Sequence, residues 1–178
     1  LTFELKASFA RENGWALIGR RNDWFQRHAV AQLSRNHTGK HTIFAYSYAA
    51  KEIFEFARTR GWRTVLGQID PGPVEERIVE RVNENSPIQH THWEPAPKAY
   101  WDKWRDECSL ADQILVNSEW SKDALISECV AAEKIQVIPL AYEIDTKSFE
   151  RHYPPSFTLE RPLRVLFLGQ INLRKGVQ

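Results

Sequence analysis

Residues 111–145, ADQILVNSEWSKDALISECVAAEKIQVIPLAYEID, contain the pattern that decides the fold. Gln113–Val116 is a short, mostly apolar run, typical of a strand that is buried on both faces. Ser118 follows, in a position suited to N-cap a helix whose apolar residues recur at a spacing of four. Ile135–Ile138 forms a second apolar run, and Pro139 ends it because proline cannot donate to a strand ladder. A strand, a helix and a strand in this order predict two parallel strands joined by a right-handed crossover.

Strands and helices alternate along the rest of the chain in the same way. Further strands are predicted at 42–46, 64–69 and 163–168, and further helices at 23–35, 48–60, 74–83 and 98–110, with Asn22 as the cap of the first. This alternation predicts an α/β fold, a Rossmann-like parallel sheet with helices on both faces.

The predicted elements divide the chain into one domain and the start of another. Residues 1–145 form a Rossmann-like domain, residues 146–162 a proline-containing linker, and residues 163–178 the first strand and turn of a second domain. The chain contains no methionine, and it ends in what is predicted to be the first turn of a helix. We therefore expect it to be an excerpt of a longer protein.

Composition excludes several classes of protein. A net charge of +1 argues against a nucleic-acid binder, which usually carries a strong basic excess. No apolar run approaches the ~20 residues that a membrane-spanning helix needs. The two cysteines, Cys108 and Cys129, form neither a disulfide framework nor a CxxC pair. We expect both to be small buried residues in a protein of the reducing cytoplasm.

Ligands of α/β folds bind beyond the carboxyl ends of the parallel strands. This rule selects the residues that follow each predicted strand, namely Tyr46, Ser47, Gln68, Asp70, Asn117, Ser118, Gly169 and Gln170. Asp70 is suited to contact a substrate hydroxyl or a proton in transit. An aspartate that merely begins the turn at Pro71 and Gly72 is an equally good interpretation.

The segment 169–176, GQINLRKG, is the sharpest candidate for a phosphate site. Arg174 and Lys175 lie at a predicted helix N-terminus, where cations and backbone amides together neutralise a phosphate or diphosphate. The segment matches neither GxxxxGK[ST] nor GxGxxG, and a solvated pair of cations on a surface turn is the simpler interpretation of the spacing alone.

Other clusters favour structural roles. His90, His92 and Glu94 resemble metal ligands, but nothing else completes a site, and we predict none. Tyr100, Trp101 and Trp104 form an aromatic face of helix 98–110. Trp101 and Trp104 are interpreted as core, and Trp120 as packing its helix on the sheet.

The ordered set DQILVNSE (112–119), KIQVIP (134–139) and LFLGQ (166–170) followed by RKG (174–176) resembles the central region of the retaining glycosyltransferases of family 4. The resemblance implies a GT-B architecture, with the active cleft between two Rossmann-like domains. It implies a nucleotide-diphosphate sugar as co-substrate, no cofactor or metal, and a sugar or lipid-linked acceptor, which leaves peripheral membrane contact open.

The resemblance also implies roles for individual residues. Lys175 matches the family lysine that holds the donor diphosphate, whereas Gln170 stands where the family has an arginine, and Arg174 is a candidate replacement. Asp70 is the nearest counterpart of an early histidine of the family. The family's two-glutamate motif is not present in this chain, so we expect the chain alone to be inactive.

The function implied is transfer of a sugar, with retention of configuration, by an enzyme that contains this chain. Two other functions stay open. One is a non-catalytic carbohydrate-binding module that uses the seven tryptophans. The other is an epimerase or phosphorylase of GT-B architecture.

Overall fold

A computed structural model describes residues 14–36, 39–85, 94–141 and 156–169 of the chain. In chain order the elements are α1 (Gly14–Asn36), β1 (Thr42–Tyr46), α2 (Lys51–Thr59), β2 (Arg63–Gly67), α3 (Pro73–Glu84), α4 (Lys98–Leu110), β3 (Gln113–Val116), α5 (Glu119–Ser127), a 3₁₀ turn (Ala132–Lys134) and β4 (Ile135–Val137). The predicted bounds of α4 and β3 are confirmed, and those of α2, α3, β2 and β4 differ from the prediction by one to three residues at an end.

The four strands form one parallel sheet in the order β1-β2-β3-β4. Ala45, Leu66, Ile114 and Ile135 are register partners across all four strands, and all of them are buried on the face that the helices cover. The predicted α/β fold with a Rossmann-like parallel sheet is confirmed.

The core lies between this face and the helices. Phe54 of α2, Trp104 of α4 and Leu125 of α5 are fully buried against it. Burial of a side chain of this size stabilises a fold by about 1.5–3 kcal/mol. Three helices from separate parts of the sequence are thereby fixed to one sheet.

The opposite face of the sheet is more open in the described part of the chain. Phe44 and Tyr46 are 51% and 63% exposed, and their rings lie over β2, where a Cβ on Gly67 would stand 2.6 Å from Phe44 Cζ. On β3 only Ile114 and Val116 are buried, so the prediction of a strand buried on both faces was wrong. Helix cover is thus seen on one face among the described residues.

Helix α5 joins the parallel strands β3 and β4 as predicted, and Ser118 caps it. Ser118 Oγ accepts a hydrogen bond from Ser121 N at 3.2 Å. The buried side of α5 is Ser121, Ala124 and Leu125. Trp120 lies on another side and is 54% exposed, so its predicted packing on the sheet was wrong.

The expectation of a buried Cys129 was also wrong. Helix α5 ends at Ser127, and Cys129 follows in the left-handed region with φ +65°, where its N–H donates to Ile126 O and its side chain is exposed. Cys108 is buried as predicted.

Helix α1 begins at Gly14, well before the predicted start at Asp23. Asn22 lies inside the helix, and its side chain does not cap it but donates to Tyr48 O at 2.9 Å. Packing of Ala29, Val30 and Leu33 on the core supports the helix and outweighs the helix-weakening effect of Gly19.

The strand predicted at 163–168 is not formed. These residues lie in neither helix nor strand, and Leu166 and Leu168 are largely exposed. A strand needs a neighbour to pair its backbone groups, and none lies beside this segment in the described residues. No helix in the described ranges is long and apolar enough to cross a bilayer.

Candidate functional site

A cleft of about 170 Å³ opens beyond the carboxyl ends of β1 and β2. It lies between the loops that leave these strands, the start of α3, one side of α4 and the start of α1. Its lining residues are Trp15, Tyr48, Asp70, Gly72, Glu75, Glu76, Val79, Tyr100 and Trp101. Aromatic rings and carboxylates therefore dominate the site; we call it the aromatic–acidic cleft.

Asp70 is the centre of the hydrogen bonds at the base of the cleft. Its Oδ1 accepts from Tyr48 Oη, from Gly72 N at 2.8 Å and, more weakly, from Gln68 Nε2 at 3.4 Å. No partner of Asp70 Oδ2 is seen among the described residues. The carboxylate is thus oriented by its neighbours and retains one oxygen for a ligand.

Tyr48 is held in a backbone conformation that a non-glycine residue rarely adopts, with φ +74°. Its N–H donates to Glu107 Oε2 at 2.7 Å, and its C=O accepts from Asn22 Nδ2 at 2.9 Å. Its ring stacks on Tyr100 with centroids 5.0 Å apart. Burial first, and Asp70 second, raise the pKa of the Tyr48 phenol, which stays protonated. Strained backbone conformations cluster at functional sites, where the surrounding structure holds one side chain in a fixed orientation.

Glu107, which is 1% exposed, holds residues 47–50 between β1 and α2, which we call the Tyr48 loop. Besides Tyr48 N, its carboxylate accepts from Ala50 N at 2.8 Å and from Lys51 N at 3.2 Å, at the start of α2. Burial raises the pKa of Glu107 to about 7, although the three backbone N–H groups oppose the shift. The Glu107 carboxylate of α4 therefore holds both the N-terminus of α2 and the Tyr48 loop that precedes it.

Gln68 joins the strand end to the core. Its Nε2 donates to Asp70 O at 2.9 Å, and its Oε1 accepts from Trp104 Nε1 at 3.0 Å. Gly72, the N-cap of α3, has φ +64° and ψ −142°, and a Cβ there would stand 3.1 Å from the Trp104 ring. Only glycine fits this conformation and this approach.

The wall of the cleft comes from residues far apart in sequence. The Trp15 and Trp101 rings each lie about 5 Å from Tyr100, at 5.0 and 5.1 Å. Trp101 Nε1 donates to Glu76 Oε2 at 2.7 Å, and Trp15 Nε1 donates to Glu94 O at 3.2 Å. Burial is also the main cause that raises the pKa of Tyr100.

The structure brings together three of the residues selected from sequence. Ser47, Gln68 and Asp70 lie at adjacent strand ends; Ser47 is buried, and its Oγ accepts weakly from Ile69 N at 3.4 Å. Asp70 does begin the Pro71–Gly72 turn, but it also lines the cleft. Asp70 therefore has the predicted turn role, and it is also positioned to contact a ligand in the cleft.

Of the selected residues that the structure describes, Asp70 alone lines the cleft. Tyr46 lies on the open face of the sheet, and Asn117 and Ser118 form hydrogen bonds with Ser121 at the start of α5. Gly169 is exposed, and a Cβ at this position would stand 3.5 Å from Phe167 Cζ.

Some selected residues fall outside the described ranges: Gln170, Arg174, Lys175, His90 and His92. Their predicted roles are untested. Among the described residues, no group of His, Cys, Asp or Glu is arranged to hold a metal ion.

Most residues in the wall of the cleft were not predicted as site residues from the sequence. Tyr100 and Trp101 were recognised as part of one aromatic helix face, but neither was expected in a cleft. Trp101 was assigned to the core with Trp104; it packs against the core and also lines the cleft. From the sequence, Glu75 and Glu76 are interpreted only as acidic residues that favour the N-terminus of helix 74–83. Nothing in the sequence signals that Trp15 meets Tyr100.

Comparison of the chain with models of known protein families, with curated proteins and with solved structures gave no match.

Proposed function

We propose that this chain is the acceptor-binding part of a retaining glycosyltransferase of GT-B architecture. The observation that carries the proposal is the aromatic–acidic cleft at the carboxyl ends of β1 and β2, with Asp70 at its base. Sugars bind where aromatic rings pack against their C–H groups and carboxylates accept hydrogen bonds from their hydroxyls. The cleft supplies both, at the edge of the sheet where α/β folds bind ligands.

In this proposal Asp70 receives the acceptor. Its Oδ2 accepts a hydrogen bond from the attacking hydroxyl and eases loss of the proton as the new glycosidic bond forms. The hydrogen bonds to Oδ1 keep the carboxylate in position, and the Tyr48 phenol, which stays protonated, stabilises its charge. The chain thereby orients the nucleophile.

The donor side of the proposal is supported by the resemblance alone. Lys175, assisted by Arg174, would hold the diphosphate of the donor and stabilise the charge on the leaving group. Gly169 and Gln170 would allow the donor to approach the backbone at the turn. The resemblance places the rest of the donor site after Gln178.

The test is a transfer assay on a chain that contains this donor half, with a panel of nucleotide-diphosphate sugars and sugar acceptors. Replacement of Lys175 by Ala should lower turnover by about 100-fold or more. Asp70→Asn should lower it by about 100-fold, the usual contribution of a positioned proton acceptor. Glu80→Gln, an exposed change of the same charge on α3, should leave turnover unchanged.

Product stereochemistry, read by NMR, decides the mechanism. An inverted product, or full turnover in Lys175→Ala, would refute the proposal. A carbohydrate-binding module is the second candidate, since the same aromatic lining suits it; sugar binding without transfer from any donor would favour it. Rearranged or phosphorolysed products would instead indicate an epimerase or a phosphorylase.

A further inference from the structure

Helix α4 is connected to the base of the cleft by two buried side chains, Trp104 and Glu107. They lie three residues apart, which places them on the same side of the helix. Neither is among the residues that line the cleft. Both form hydrogen bonds with residues that in turn contact Asp70, so they act on the cleft only through those partners.

The first connection runs from Glu107 through Tyr48. Glu107 Oε2 accepts from Tyr48 N at 2.7 Å, and Tyr48 Oη donates to Asp70 Oδ1. Tyr48 has φ +74°, a conformation that a non-glycine residue keeps only where its surroundings hold it. Ala50, the N-cap of α2, provides no side-chain cap, and its N–H donates to Glu107 Oε1 at 2.8 Å. Both carboxylate oxygens therefore accept from N–H groups, which suits the ionised form.

The second connection runs from Trp104 through Gln68, which is itself buried. Trp104 Nε1 donates to Gln68 Oε1 at 3.0 Å, so the amide nitrogen of Gln68 is turned toward Asp70. That nitrogen donates to Asp70 O at 2.9 Å and, more weakly, to Asp70 Oδ1 at 3.4 Å. Because the indole offers only a donor, Trp104 decides that Gln68 presents a donor, and not an acceptor, to Asp70.

We infer that α4 sets the orientation of Asp70 through these two connections, which makes Glu107 and Gln68 positioning residues of the cleft. Both connections end on Asp70 Oδ1 and thereby fix the direction in which Oδ2 points. Gly72 N donates to the same oxygen, so the loss of one connection loosens the carboxylate without releasing it. The consequence for turnover rests on the proposed function, whereas the effect on the cleft is measured without donor or acceptor.

The first measurement is amide hydrogen exchange, followed by NMR on the full chain at pH 8, where Glu107 is mostly ionised. Glu107→Gln keeps the size of the side chain but turns an amide N–H₂ toward N–H donors. Protection of the Tyr48 and Ala50 amides should fall at least about 10-fold more than protection of Leu66 in β2, because charge-assisted hydrogen bonds are lost at the loop. The control is Leu125→Ala on α5, which packs on β3 and β4. It should not lower the protection of the loop more than that of β2.

The second measurement is the titration of the Tyr48 phenol, followed through a ¹³C label at Cζ of tyrosine. Burial and Asp70 raise the pKa of this phenol, so its signal should not titrate up to pH 11 in the wild type. In Glu107→Gln the ring loses its fixed contact with Asp70, and its pKa should fall toward the ordinary value of about 10. Leu125→Ala should leave the Tyr48 signal as it is in the wild type.

The third measurement is a double-mutant cycle in the transfer assay. Glu107→Gln and Gln68→Met should each lower kcat by about 10-fold in a chain with Asp70 intact. In an Asp70→Asn background neither should have much further effect, because the residue through which they act is already lost.

A fall in protection that is equal in the loop and in β2 overturns the inference, as does a Tyr48 signal that is unchanged in Glu107→Gln. Additive losses of kcat in the double mutants overturn it as well. Should Glu107→Gln not fold, Glu107→Asp, which keeps the charge but shortens its reach, is judged by the same two spectroscopic readouts. Absence of transfer from any donor refutes the proposed function alone, because the first two measurements need no donor.

Discussion

Replacement of Glu107 by Gln should remove a pH dependence of stability that the wild-type protein shows between about pH 4.5 and 7. The substitution keeps the shape of the side chain and one accepting oxygen, but it removes the titratable group. Glu107 is 1% exposed and accepts from three backbone N–H groups around the Tyr48 loop.

The direction follows from the pKa of the two states. The pKa of Glu107 is raised from 4.5 to about 7, mainly by burial. Between these values the folded chain holds a proton that the unfolded chain has released, so the free energy of unfolding falls as pH rises. The loss is complete above about pH 7.

The size of the effect follows from the same shift. Each pKa unit corresponds to about 1.4 kcal/mol, so wild type loses about 3 kcal/mol across the window. For a chain of this size that is a fall in Tm of roughly 6–12 °C. Glu107→Gln leaves one backbone N–H poorly paired, which costs about 1–3 kcal/mol at every pH.

The measurement is urea unfolding of both proteins, followed by circular dichroism, at several pH values from 5 to 8. The difference in the free energy of unfolding between them should change by about 2–3 kcal/mol over this range, with wild type favoured increasingly at low pH. The two proteins differ at residue 107 alone, so the comparison isolates this group. The free energy of unfolding of Glu80→Gln should show the same pH dependence as that of the wild type. A difference that stays constant with pH would refute the assignment of the titration to Glu107.

Three further substitutions test the fold and the base of the cleft. Ser118→Ala should destabilise the protein by about 1 kcal/mol in urea unfolding, because the cap of α5 is lost, whereas Ser127→Ala at the other end of that helix should have little effect. Gly72→Ala should cost about 1–3 kcal/mol more than Gly61→Ala, since both positions have positive φ but only Gly72 approaches the Trp104 ring; equal costs would contradict the contact. Trp104→Phe should cost about 2–4 kcal/mol, because it leaves a cavity and the buried Oε1 of Gln68 without its donor, and retained stability would show that this hydrogen bond is dispensable.

Local signals in the sequence predicted several elements well. Helix 98–110 and strand 113–116 have the predicted bounds because Pro97 and Ala111 flank a continuous helical pattern and the strand is a compact apolar run. The start of α1 could not be predicted, because Gly14 and Gly19 interrupt the local helical pattern and the helix is supported by contacts with α2. A strand at 163–168 was predicted from its apolar residues alone, which cannot supply a pairing partner.

The cleft was predicted only as far as the strand ends. The rule for parallel sheets selected Ser47, Gln68 and Asp70 because it needs nothing but strand order. Whether an aromatic residue fills a core or lines a cleft depends on which distant residues face it. Trp101 illustrates this, since Trp104, one turn away on the same helix, is fully buried while Trp101 meets Glu76 of α3.

The sequential order of the strands has a consequence for how the protein is made. Each strand pairs with the strand before it in the chain, so during synthesis every new strand meets an edge that already exists. The cleft cannot form in this stepwise way. The Tyr48 loop is held by Glu107 and Tyr100 of α4, which are synthesised after β1 and β2. We therefore expect nascent chains that stop before residue 98 to pair β1 with β2 and to leave Tyr48 and Asp70 unorganised. Pulse proteolysis of stalled chains would reveal this order, and an organised loop in the shorter chains would contradict it.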